Sequence, residues 1–298
     1  MTIREAYDYG VEQLENEGIE DAECDIRILL EDLCGIDREE LFLKADRGLS
    51  RKDTESFMNA VTRRMGHYPV QYITGKQDFM GLTFSVTPDV LIPRQDTEIL
   101  VETVLKQLHD GSRILDMCTG SGCILLSLLR YSNNCEGVGV DVSEEALEVA
   151  RDNAGRLALD ETFDMLFTGA NASQKHIDND KIEFIESNLF NDVRGKFDII
   201  VSNPPYIRSD VIPTLMEEVR DYEPMLALDG HEDGLFFYRE ILKKANAYLN
   251  GGGKLFFEIG YDQAEEVSRL MEAAGFKDIQ IEQDYGHLDR VVWGEWRG

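Results

Sequence analysis

The chain has 298 residues, enough for one large domain or two modest ones, and its 43% hydrophobic residues are an ordinary share for a globular protein. Its 58 acidic against 30 basic side chains leave a formal charge of −28, which repels phosphate backbones and argues against a protein that grips long nucleic acid through charge. The five cysteines (24, 34, 118, 123 and 135) contain no Cys-x-x-Cys pair, the five histidines lack metal-ligand spacing, and no apolar run reaches the ~20 residues that span a bilayer. Reduced thiols, no metal, no membrane contact and an N-terminus without a signal-peptide core predict a cytoplasmic protein.

Residues 1–68 read as a small helical N-terminal domain. Thr2 and Glu5 stand at capping-box spacing, Ala6, Tyr9 and Leu14 keep a three- to four-residue rhythm, and further helices cover 21–33, 37–45 and 52–66. From Pro69 the pattern turns β-rich: Val70 to Thr74, a Gly75 turn, then the alternating Leu82 to Val86, so 69–95 reads as a β-hairpin linker. Residues 96–298 read as the catalytic domain. A helix from Thr97 leads into strands at 113–117, 137–142, 182–186, 197–202 and 254–259, with helices at 122–130, 144–157, 234–249 and 262–274. Such alternation predicts a doubly wound α/β sheet, and the helix-free pair 277–284 and 288–294 closes it as an antiparallel hairpin, making seven mostly parallel strands. Residues 160–181 read as a surface loop before the third strand.

The first of these strands runs into Asp116-Met-Cys118-Thr119-Gly120-Ser121-Gly122, a small-residue turn that opens a helix. Ligands of doubly wound sheets bind beyond the carboxyl ends of the strands, where small residues let them approach the backbone. The next strand ends at Asp141, 25 residues after Asp116, placed to accept from ribose hydroxyls. The turn lacks the Lys and Ser/Thr of a phosphate loop, and an acid before it repels a pyrophosphate but suits a ligand carrying an ammonium group. S-adenosylmethionine is such a ligand.

The fourth strand ends in Asn203-Pro204-Pro205-Tyr206. Prolines stop a ladder because they donate nothing, which leaves carbonyl acceptors with few competing donors. A planar NH2 group can give one hydrogen to the Asn203 side-chain oxygen and the other to the Pro204 carbonyl, beside a sulfonium methyl. Tyr206 offers an aromatic face to a planar substrate. Positioning and polarisation supply the rate, and no Ser, Cys or His nucleophile is needed.

Together these residues resemble the class I S-adenosylmethionine-dependent methyltransferases with an Asn-Pro-Pro-Tyr motif. Within that group the chain resembles the peptide chain release factor glutamine N5-methyltransferases, the HemK/PrmC family. Leu91-Ile-Pro-Arg-Gln-Asp-Thr-Glu98 and Tyr222-Glu-Pro-Met-Leu-Ala-Leu228 with Asp233-Gly-Leu235 carry the finer likeness, which spans nearly the whole chain. The resemblance implies methyl transfer to the side-chain amide of the glutamine in a release factor's Gly-Gly-Gln loop, modulating translation termination, by a monomer whose helical domain recognises the substrate. It implies that Asn203, Pro204, Pro205 and Tyr206 hold the glutamine amide, with Asn203 also beside the cofactor. Asp116, Cys118, Thr119, Gly120, Ser121, Gly122 and Asp141 then hold the cofactor, with Asn188 and Leu189 near its adenine. The chain departs from the family at Gln95 (usually proline), Cys118 (usually glycine), Leu189 (aromatic in some members), a longer 160–181 loop and a loose match over 284–290.

An adenine N6-methyltransferase acting on DNA or RNA is the rival reading, because an adenine amine fits the same tetrapeptide. The acidic charge and the lack of a basic recognition module count against it. A non-catalytic protein on the same fold is a third reading, and any methyl transfer would exclude it. Arg94 and Glu98 either shape the substrate mouth or tie the linker to the sheet as an ion pair.

Overall fold

The computed structural model describes residues 1–159 and 177–298. Five helices come first: α1 (Ile3–Asn16), α2 (Ala22–Cys34), α3 (Arg38–Leu43), α4 (Arg51–Met65) and α5 (Val70–Thr74). Caps explain where they begin and end. The Thr2 hydroxyl accepts the Glu5 N–H at 3.2 Å while the Glu5 carboxylate accepts the Thr2 N–H at 2.8 Å, Asp37 and Ser50 cap α3 and α4, and Gly35 closes α2 in the left-handed conformation. Val70–Thr74, expected as a strand, is the short helix α5. Pro69 starts it with a fixed φ, its carbonyl accepts the Ile73 N–H at 3.1 Å, and Gly75 at φ 73° ends it, so local capping overrides the β preference of Val and Ile.

The hairpin is therefore shorter than expected, β1 (Lys76–Phe79) with β2 (Leu82–Ser85). There follow α6 (Glu98–Gln107), β3 (Arg113–Met117), α7 (Cys123–Tyr131), β4 (Glu136–Asp141), α8 (Glu144–Leu159), β5 (Ile182–Glu186) and β6 (Phe197–Ser202). The chain continues through α9 (Glu217–Tyr222), α10 (Met225–Leu228), α11 (Phe236–Tyr248), β7 (Leu249–Glu258), α12 (Ala264–Ala273), β8 (Lys277–Gln283) and β9 (Asp289–Glu295). The large sheet has seven strands in the order β5-β4-β3-β6-β7-β9-β8, parallel from β5 to β7, with β9 antiparallel to both its neighbours. The expected fold class is the observed one. Of the loop read at 160–181, residues 160–176 lie outside the described residues.

Successive side chains of the central strands enter opposite layers. Ile114, Ile199, Phe256 and Val291 pack on the face covered by α6 and α7, whereas Leu115, Ile200, Phe257 and Val292 pack with Tyr238, Ile241 and Val267 of α11 and α12. A sheet buried on both faces needs apolar residues at every position, which is why Ile-Leu and Ile-Ile-Val run unbroken.

The described chain packs as two compact units, 1–76 with 215–222, and 77–214 with 223–298. In the first, a core of Ile3, Leu14, Ile26, Leu29, Phe57 and Val61 surrounds one buried cation. The Arg64 guanidinium contacts the Asp25 carboxylate at 2.6 Å and Glu218 of α9 at 2.7 Å, with both Arg64 and Asp25 about 5% exposed. Burial pushes the Asp25 carboxyl up and Arg64 pulls it back down. Arg64→Ala strands that carboxyl without its partner and should cost about 3 kcal/mol in urea unfolding. Replacing the pair together, as Asp25→Leu with Arg64→Met, should recover most of that loss.

Candidate active site

The turn after β3 folds tightly because three of its five residues have positive φ: Cys118 (64°), Gly120 (53°) and Gly122 (79°). The Thr119 N–H donates to the Val140 carbonyl at 2.9 Å, and the Thr119 hydroxyl donates to Asp116 Oδ2 at 2.7 Å. The Gly120 N–H donates to Asp141 Oδ2 at 2.9 Å, and Asp141 Oδ1 accepts the Ser143 N–H at 3.1 Å. The turn is thus pinned to the neighbouring strand end from both sides. Asp116 is fully buried, and its Oδ1 has no direct partner. Burial pushes its carboxyl up to about 7, and pushes that of Asp141 up against three backbone donors. Burial also raises the thiols of Cys118 and Cys123, so neither is a thiolate at neutral pH.

One pocket of about 660 Å³ opens at the carboxyl ends of the strands, within the range typical of small-molecule sites. Cys118, Thr119, Gly120, Ser121, Asp141, Asn188, Leu189, Asn203 and Pro205 line it. Asp116, Gly122, Pro204 and Tyr206 do not reach its wall: Asp116 supports the turn through Thr119, and Tyr206 turns its hydroxyl to Glu258 Oε1, 3.4 Å away. Asn203 Nδ2 lies 3.5 Å from the Thr97 hydroxyl, which also lines the pocket.

Tyr206 is held by its backbone. Its carbonyl accepts from Gln263 Nε2 at 3.1 Å, and a Cβ on Gly230 would stand 2.7 Å from the Tyr206 Cα, one on Gly234 2.4 Å from the Tyr206 carbonyl oxygen. Only glycine permits these approaches. Arg94 pairs with the buried Glu223, whereas Glu98 accepts the Met80 N–H at 2.6 Å, so of the two it is Arg94 that forms an ion pair.

Thr97, Glu258, Arg290 and Asp284 had no place in the sequence reading of the site. Glu258 is 2% exposed at the end of β7; Arg290 contacts Asp284 at 2.8 Å and Asp96 at 3.1 Å. The available signal was a glutamate closing an apolar strand, Leu255-Phe-Phe-Glu258. Burial pushes the Glu258 carboxyl up to about 7, against the Thr97 hydroxyl and the charge of Arg290.

S-adenosylmethionine fits these residues. The wall offers the Asp141 carboxylate and small residues, and two of its cations are engaged elsewhere, Arg94 with Glu223 and Lys244 with Asn191 at 3.1 Å. Nothing lies within 4 Å of the position a Cβ would take on Gly120, so ligand can approach the backbone there. A pocket with an available acid and no free lysine in its turn favours a zwitterionic nucleoside over a phosphate.

Fold and pocket define a class I S-adenosylmethionine-dependent methyltransferase. Residues 5–75 match the family described as PrmC N-terminal domain, and 94–219 match the Methyltransferase small domain. The chain is 40% identical over 294 residues to the release factor glutamine methyltransferase of Geobacter sulfurreducens, covering 98% of this chain and 96% of that one. It is 40% identical over 270 residues to that of Clostridium acetobutylicum, covering 90% and 89%. A solved structure of a release factor-specific protein-(glutamine-N5) methyltransferase from Alicyclobacillus acidocaldarius is 28% identical, covering 72% of this chain and 100% of that one, with a TM-score of 0.39. The chain belongs to the release factor glutamine methyltransferase family.

Asp116 and Glu258 keep their protons to higher pH in the folded protein than in the unfolded chain, so folding takes up protons between about pH 4 and 7. The stability they contribute is present at low pH and lost as pH rises through this window. Between about pH 5.5 and 8 the ligand-free protein should lose about 2 kcal/mol for each group, read from urea midpoints. Asp116→Asn should remove about half of the dependence; an unchanged slope would assign it to other groups.

Proposed function

We propose that this chain transfers the methyl group of S-adenosylmethionine to the side-chain amide nitrogen of the glutamine in a release factor's Gly-Gly-Gln loop. The observation that carries this reading is the position of Asn203 at the exit of β6, in the wall of the same pocket as Gly120 and Asp141. Membership of the family supports the acceptor.

An amide nitrogen is a poor nucleophile because its lone pair is delocalised into the carbonyl. The site must therefore orient the nitrogen and draw electron density toward it. The Asn203 Oδ1 accepts one amide hydrogen, which helps turn the lone pair toward the methyl donor. Tyr206 braces the tetrapeptide from its fixed backbone. Asp141 takes the ribose hydroxyls, the 118–122 turn lets the cofactor approach the backbone, Asp116 supports that turn, and Asn188 and Leu189 flank the adenine. When bound, S-adenosylmethionine supplies an electrophilic sulfonium methyl. The amide gives up one proton as its new N–C bond forms.

Among the described residues no helix is long and apolar enough to cross a membrane, and the reaction belongs in the cytoplasm with its substrate. A formal charge of −28 disfavours nucleic acid as acceptor, leaving the helical unit to dock the release factor.

With labelled S-adenosylmethionine, a purified release factor should accept methyl while its Gln→Ala counterpart does not. Asn203→Ala should lower turnover by about 10²–10³-fold, the loss expected for one preorganised polar contact, and leave cofactor affinity within a few-fold. Parallel loss of cofactor affinity would instead make Asn203 a cofactor ligand.

A further inference from the structure

The loop from Asn203 to Tyr206 leaves β6 with two prolines among its four residues, so half of it has no N–H with which to bond a neighbour. A carbonyl can still be held from outside. The Tyr206 carbonyl is held by Gln263, whose Nε2 donates to it at 3.1 Å and to the Gly234 carbonyl at 3.3 Å. On the other side of the same amide, Oε1 accepts the Gly260 N–H at 2.9 Å. The Tyr238 hydroxyl shares its one hydrogen between that oxygen, at 3.3 Å, and the main-chain carbonyl of Glu258, at 2.9 Å.

Three groups that cannot change roles fix the orientation of this amide. A half-turn about the last side-chain bond exchanges its acceptor for its donors. Here that would set Oε1 against two carbonyl oxygens and Nε2 against an N–H. Backbone carbonyls only accept and a backbone N–H only donates, so a flipped Gln263 loses all three backbone bonds. The two glycines also close on it: a Cβ on Gly234 would stand 2.7 Å from Nε2, and one on Gly260 3.1 Å from Oε1.

The bonds of Gln263 join two stretches of the pocket wall. Tyr206 follows Asn203 and Pro205, which line the pocket, and Gly234 lies between His231 and Phe236, which line it too. The stretches also pair directly, the Ile207 N–H donating to the Leu228 carbonyl at 3.0 Å and the Gly230 N–H to the Ile207 carbonyl at 2.7 Å. Gln263 is outside the wall, so it acts on a substrate through the segments it holds. Its base is rigid. It stands at the N-cap of α12, its own N–H donates to the Gly260 carbonyl at 2.9 Å, and the helix behind it is buried through Ala264, Val267 and Met271.

We infer that Gln263 is a positioning residue for methyl transfer: its side-chain amide locks the Asn203 to Tyr206 loop to the 230–234 turn, so that the two stretches of wall keep one spacing. The consequence for turnover rests on the function proposed above; the lock itself rests on the bonds alone. Displacing a group that orients the acceptor by about 1 Å can cost about 10²-fold in rate, although the displaced group binds no cofactor.

Gln263→Met keeps the length of the side chain and loses the amide; Gln263→Glu still offers an acceptor to Gly260 but, ionised at about pH 8.5, no hydrogen to either carbonyl. In ligand-free protein at that pH, hydrogen exchange read by mass spectrometry should quicken about tenfold in peptides covering 206–212 and 228–235 of both variants, while β4 exchanges as in the wild type. With cofactor and release factor saturating, kcat should fall about 10- to 100-fold in both, with cofactor affinity unchanged and the KM for release factor within about threefold. Wild-type kcat in Gln263→Met would overturn the positioning role, whatever its exchange. Equal quickening in β4 would make Gln263 a general stabiliser of the fold and overturn it too, and a near-wild-type Gln263→Glu would assign the effect to Gly260, against the two carbonyl bonds. Local quickening in a protein that methylates no release factor would support the lock and count against the acceptor alone.

Discussion

The bond from the Gly120 N–H to the Asp141 carboxylate, 2.9 Å long, is the contact against which the head of the sheet is assembled. Its other oxygen takes the Ser143 N–H, where α8 begins, and its main-chain carbonyl takes the Ser187 N–H at 2.8 Å, just beyond β5. One residue thereby joins the exits of three adjacent strands. The ladder sets the distance between parallel strands, and Asp141 ties the loops that leave three of them together in the pocket wall.

Beneath the pocket lies a layer of buried acids that a fold optimised for stability would not contain. Asp116 and Glu258 each sit fully enclosed, with one oxygen lacking a direct partner, and each holds its proton to about pH 7. Removing a carboxyl from water costs free energy unless its charge is neutralised or matched. Both acids lie at the carboxyl edge, Asp116 under the cofactor turn through Thr119 and Glu258 beside the tetrapeptide through Tyr206. Perturbed groups gathered at one end of a sheet fit a site that trades stability for orientation.

The architecture was legible because its signals are local and repeated. Unbroken apolar runs such as Ile199 to Val201 mark strands covered on both faces, and Thr2, Asp37 and Ser50 start helices where caps belong. Val70 to Thr74 misled because three β-branched residues among five carry less weight than a proline before them and a left-handed glycine after. For the site, the turn and Asp141 could be read from strand ends and a motif, since each lies at a fixed distance along the chain from its strand. Thr97 and Glu258 could not, lying 161 positions apart in sequence and brought to Asn203 and Tyr206 only by the fold. The layering behind a motif is a property of the fold: Asp116 and Tyr206, adjacent in sequence to residues of the wall, do not themselves reach it.

Some of the backbone strain lies where the ligand must fit: three of the eight non-glycine residues with positive φ among the described residues. Cys118, Leu189 and His231 are non-glycine residues with positive φ, at 64°, 52° and 67°, and all three line the pocket. Each such conformation costs of order 1–2 kcal/mol, so it persists only where neighbours leave no alternative. For Cys118 those neighbours are visible: the Met117 carbonyl before it accepts the Ser202 hydroxyl at 2.7 Å, and the Thr119 N–H after it is bonded across the sheet. With both flanking peptides anchored, the residue between them has no freedom to relax. Cys118 thus holds its strained conformation and adds its side chain to the pocket wall. Its side chain faces the pocket, while the backbone on either side of it is fixed by bonds to strands β4 and β6.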